Sequence, residues 1–82
     1  MKTPIIIIDS EGAIEASVKT IYNAMKDKEK KPIEFEFMCP TGFMHTQFVN
    51  HLNEYLVTWK KAKKVSHVKI NIYLETTEED SA

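Results

Sequence analysis

The sequence predicts a small α/β domain of order β-α-β-α-β, in which two helices accompany a three-stranded, mainly parallel sheet. Three patterns carry this: an unbroken isoleucine run, two stretches with apolar residues three or four positions apart, and two stretches of strict alternation. Pro4 is followed by Ile5, Ile6, Ile7 and Ile8 before the chain turns polar at Asp9. A short, wholly β-branched run of this kind suits a strand buried on both faces. From about Ala13 to Lys28 the period changes. Ile14, Val18, Ile21, Tyr22 and Met25 form one stripe of an amphipathic helix. The charged stretch Lys26 to Lys31 then reads as a solvated connection, and Pro32 stops any helical continuation.

Ile33, Phe35 and Phe37 alternate with Glu34 and Glu36, the pattern of a strand (33–38) with one dry and one wet face. A second helix is expected from about Thr41 to Lys64, striped by Met44, Phe48, Leu52, Tyr55, Leu56 and Trp59. Lys60, Lys61, Lys63 and Lys64 stand in its last turn, where cations suit the helix dipole. In the third strand (67–75), Val68, Ile70, Ile72 and Leu74 alternate with His67, Lys69, Asn71, Tyr73 and Glu75. Residues 1–75 therefore read as one domain, and the acidic tail 76–82 is expected to fray.

Strand–helix–strand units favour parallel pairing through crossovers of one hand. The wholly apolar strand belongs in the centre, and the alternating strands, one preceded by Pro32 and one carrying Lys69, belong at the edges. Order 2-1-3 is expected on that basis, with one helix on each face. The other arrangement weighed is order 1-2-3. It puts both helices on one face and leaves an open face bearing Glu34, Glu36, Lys69 and Tyr73.

Composition narrows the function. The 82 residues are 43% hydrophobic and 28% charged, as in an ordinary globular domain. A chain this short buries only roughly 60–65% of its unfolded surface, which argues against an interior site for a large ligand or cofactor. The single cysteine rules out an internal disulfide framework. Four isoleucines are too few for a secretory segment or a membrane span, so a reducing, cytoplasmic setting without a membrane partner is expected. Net charge is −1, and every cation is a lysine. Without arginine, bidentate recognition of phosphate or guanine is lost, which disfavours nucleic acid as a partner.

Shifting the chain by thirty residues aligns Asp9 to Ile14 with Cys39 to Met44, and both glycines, Gly12 and Gly42, coincide. Two βα units that need similar turns account for this. Asp9 or Ser10 is expected to cap the first helix, and Thr41 the second. The turn Asp9-Ser10-Glu11-Gly12 also resembles the D-S-x-G turn of STAS domains, the anti-anti-sigma-factor family. That resemblance spans four residues, the family's upstream strands have no counterpart here, and it implies a regulatory hydroxyl at Ser10.

Cys39 ends a strand just before a helix N-terminus, a place that lowers a thiol pKa. Its Cys-Pro turn with Pro40 resembles the active-site turn of glutaredoxin-like proteins and the turn of small sulfur carriers. Gly42 stands where a dithiol motif would have its second cysteine. His45 could reach back toward Cys39 from the helix. No paired spacing among Cys39, His45, His51 and His67 suggests a metal site. No convergent catalytic set appears, and a cofactor is not expected. Phe43 and Val57 fall off the apolar stripe of the second helix, and Tyr73 off the apolar phase of the third strand. The expected role is thus a non-enzymatic protein–protein interaction or regulatory module, of inhibitor or adaptor type, contacting another protein or a second copy. The contact is expected at an edge strand, with that of strand 33–38 favoured over the Lys69-bearing third strand, or at the outer side of the second helix. The alternative is a single-thiol redox or sulfur-carrier protein acting through Cys39 and His45.

Overall fold

A computed structural model of the chain describes residues 1–55 and 66–75. The elements run β1 (Lys2–Ile7), α1 (Glu11–Lys26), β2 (Ile33–Cys39), α2 (Gly42–Tyr55) and β3 (Val68–Leu74), the order read from the sequence. The expected reach of the second helix beyond Tyr55, with Leu56, Val57, Trp59 and its lysines, lies outside the described residues. So does the tail 76–82.

Capping explains where the helices begin. The Ser10 hydroxyl accepts from the Ala13 amide at 3.1 Å, and the Thr41 hydroxyl accepts from the Met44 amide at 3.2 Å. Neither glycine adopts a positive φ, so both starts rely on these hydroxyls and not on glycine's conformational freedom. No described helix is long and apolar enough to cross a membrane.

The strand order corrects the sequence reading. Among the described residues the sheet is β1-β2-β3, all parallel, so the isoleucine strand is an edge and the glutamate-bearing strand is central. Order 2-1-3 does not occur, and strand 33–38 offers no free edge for a partner. Ile8 is buried and Ile6 half-buried, but Ile5 and Ile7 are 63% and 42% exposed. Two-sided burial therefore does not account for the isoleucine run.

The reason lies in β2. Phe35, Phe37 and Cys39 are buried on its helix-facing side, and Glu36, on the other side, is only 4% exposed. Alternation with glutamate predicts a wet face. Here Glu36 is enclosed because a neighbouring side chain satisfies it, as described below. Pro32 costs the centre nothing, because it precedes the first ladder residue. On the other edge the β1–β2 register is irregular between Lys2 and Ile5, where Pro4 has no N–H to give. There the Thr3 hydroxyl also accepts from the Glu36 amide, at 3.1 Å.

Because the strands step across the sheet in one direction, crossovers of one hand bring both helices to one face. The core sits between that face and the helices. It joins Ile14, Val18 and Ile21 of α1 and Phe48 and Leu52 of α2 to Ile8, Phe35, Phe37 and Cys39. Phe48 meets Phe37 edge-on with centroids 5.0 Å apart, and Phe37 stacks on Phe35 at 5.8 Å. Val18, Phe48 and Leu52 are buried as their spacing predicts. Ile70 is only half-buried, because β3 is an edge.

Leu52 is the test of this packing. Leu52→Ala should lower the unfolding free energy by about 2–5 kcal/mol, the range for a buried leucine. In a domain with roughly 5–10 kcal/mol in total, that is a large fraction, visible as a shifted urea midpoint. An unchanged midpoint would exclude this helix register.

Candidate interaction surface

The sheet face turned away from the helices is an ordered grid. Register places Lys2, Glu34 and Lys69 in one row, Ile5, Glu36 and Asn71 in the next, and Ile7, Met38 and Tyr73 in the third. The rows pass from charged to mixed to apolar along the strands. No described residue covers them, and Ile5, Ile7 and Tyr73 remain exposed.

Its centre is held by one carboxamide. Asn71 donates from Nδ2 to Glu34 Oε2 at 2.6 Å and to Glu36 Oε2 at 2.5 Å. An amide nitrogen has two hydrogens, so each carboxylate receives one. The Tyr73 phenol stands close enough to Glu36 for the two to shift one another's titration, and Lys69 Nζ lies 4.0 Å from Glu34. The Asn71 hydrogen bond holds the Glu36 carboxyl below its ordinary range. Burial opposes that shift, while Tyr73 and the Lys2 charge reinforce it. The neighbouring Glu36 carboxylate, with burial, in turn raises the Tyr73 phenol, because both disfavour the phenolate.

The residues singled out from the sequence do not form one site. Tyr73 belongs to the open face and is 48% exposed. Phe43, 66% exposed, lies in the first turn of α2, within the helix layer on the other side of the sheet. Val57 lies outside the described residues. Cys39 is wholly buried in the core, and burial raises its thiol pKa, whereas His45 is half-buried at the start of α2. A helix N-terminus can lower a thiol pKa only if the sulfur is not desolvated more strongly, and here desolvation prevails. His51 stacks on Tyr55 at 5.6 Å, and His67 Nε2 lies 2.9 Å from the Ala24 carbonyl. Among the described residues, no group of three or more His, Cys, Asp or Glu side chains is placed to hold a metal ion.

Ile5, Ile7, Met38 and Asn71 join the surface without having been singled out beforehand. An isoleucine run has no alternation to say which members face outward. Asn71 shares the polar phase of β3 with Lys69 and Tyr73, and only register reveals that it faces Glu36. Comparison of the chain with protein-family models, curated proteins and solved structures finds no match in any of the three.

Two outcomes follow from these groups. The Glu36 pKa is lower in the folded chain than in the unfolded one, so its contribution to stability is complete above the ordinary glutamate range. That contribution is lost as pH falls through the folded value. Asn71→Ala should therefore weaken the pH dependence of stability on the acid side, measured by urea unfolding from neutral pH downward; an identical profile would show that the amide does not set the Glu36 pKa. Cys39, in turn, should react with a thiol-specific disulfide reagent at neutral pH only as fast as the chain opens. A rate matching that of a free thiol would show an accessible thiolate.

Proposed function

We propose that this chain is a small non-enzymatic interaction module that binds another protein through the open face of its sheet, in the manner of an inhibitor or adaptor. One observation carries this: an all-parallel sheet has helices over one face only among the described residues. Parallel sheets occur almost always with both faces covered, because their strands are laid down by crossovers that supply the cover. Here the other face presents Ile5, Ile7 and Tyr73 to solvent. Apolar side chains around a satisfied polar centre are the ordinary composition of a docking patch. Two lysines and two glutamates leave the grid without net charge, which suits a protein surface better than a polyanion. The cytoplasm is the proposed setting, in keeping with a single free cysteine.

The Cys39 alternative draws less support, because a carrier thiol must meet its substrate and this sulfur is enclosed. Phe43 offers a second exposed contact on the helix layer, and variants separate it from the sheet face. Capture from the native host with the immobilised chain, then mass spectrometry, identifies the partner. Ile5→Lys and Ile7→Lys should each weaken that complex about fivefold or more, the effect of losing an interface anchor worth more than ~1 kcal/mol. Phe43→Asp should leave it unchanged. The reverse result would move the binding site to the first turn of α2 and overturn the sheet-face reading.

A further inference from the structure

We infer that two copies of this chain pair through β3, antiparallel about a two-fold axis at Asn71, to form one continuous six-stranded sheet. This pairing borders the open face at Lys69 and Tyr73 but does not depend on the function proposed for that face.

The two edges of the sheet differ. β1 is irregular, carries Pro4 and breaks register between Lys2 and Ile5, which are ordinary ways of blunting an edge. β3 has none of these. It runs seven residues without proline, glycine or irregularity, in unbroken register with β2 from Val68 to Leu74. The Ile33 amide donates to the His67 carbonyl, and the Glu75 amide donates to the Cys39 carbonyl. Odd-numbered residues of β3 therefore turn their backbone groups toward β2. By alternation, Val68, Ile70, Ile72 and Leu74 turn an N–H and a C=O outward.

An isologous antiparallel pair centred on Asn71 matches those groups to one another. Val68 faces Leu74 of the second copy and Ile70 faces its Ile72, each as a hydrogen-bonded pair. Every outward donor and acceptor of β3 is then used. The side chains agree with the same register. On the helix side these are apolar pairs, and Leu74, exposed in the single chain, meets a valine. On the open side Lys69 faces Tyr73 of the second copy, a cation beside an aromatic ring, in both halves of the dimer. The one charge that would blunt this edge thus has a partner when the partner is the chain itself. A register centred on Ile70 or Ile72 leaves outward groups unpaired at one end. The two-fold axis runs normal to the sheet, so both open faces lie on the same side of the assembly.

Sedimentation velocity of the unmodified chain across the micromolar range tests assembly, and the expected species has twice the chain mass. A monomer throughout would overturn the proposal. Register is tested by disulfide formation, because Lys69 and Tyr73 fall at a non-hydrogen-bonded pair, where Cα atoms are close enough to bridge. Cys39 is wholly buried, so each variant chain carries one accessible thiol. Equimolar Lys69→Cys and Tyr73→Cys chains, oxidised together with diamide, should give the mixed dimer in large excess over either self-linked product. Self-linking of the Lys69→Cys chain at the same rate would place the contact elsewhere. Ile5→Lys should leave the dimer intact while weakening the captured partner. Loss of the dimer in that variant would assign self-association to the open face and overturn the edge pairing.

Discussion

Asn71 bridging Glu34 and Glu36 is the contact on which the arrangement of this sheet depends. Two carboxylates two residues apart on one strand face repel each other, and enclosing either without a donor is costly. A carboxamide from the adjacent strand supplies one N–H to each. The Tyr73 phenol lies beside Glu36 and favours its charged form, and Lys69 stands by Glu34. With these partners a strand written in alternating glutamates can occupy the centre. Its other face then brings Phe35, Phe37 and Cys39 under both helices. If β2 lay at an edge, three of the largest buried groups would sit at the margin of the core.

The same arrangement makes the open face. With β2 central and both crossovers stepping the same way, the helices share one side, and the isoleucines of β1 divide between core and solvent. Ile6 and Ile8 serve the core, whereas Ile5 and Ile7 remain on the bare face beside Met38 and Tyr73. The satisfied carboxylates give that face a fixed polar centre, and its apolar residues lie toward one end. A surface of this kind can be desolvated locally without stranding a charge, which is what a docking partner requires.

β3 carries two roles on its two sides. Its polar phase organises the open face through Asn71 and Tyr73. Its outer backbone groups, on the residues of the apolar phase, pair with no strand among the described residues. β1 is irregular and β3 is regular from Val68 to Leu74, so the two edges have different capacities to pair.

Much of the fold was legible in the sequence, because local rules act over a few residues. The order of elements, the helix caps at Ser10 and Thr41, and the burial of Val18, Phe48 and Leu52 follow from periodicity and side-chain chemistry alone. The exposure of Tyr73 and Phe43 was legible for the same reason, as both break the phase of their element. Strand order was not, because the rule that apolar strands are central assumes that charged side chains seek water. Asn71 lies more than thirty residues from Glu34 and Glu36, and only the β2–β3 register brings it opposite Glu36 and beside Glu34. The sequence by itself determined which residues form strands and helices, since those preferences reside in each segment. Tertiary structure decided which strand is central, which isoleucines face solvent and whether Cys39 is accessible, because each depends on partners distant in the chain.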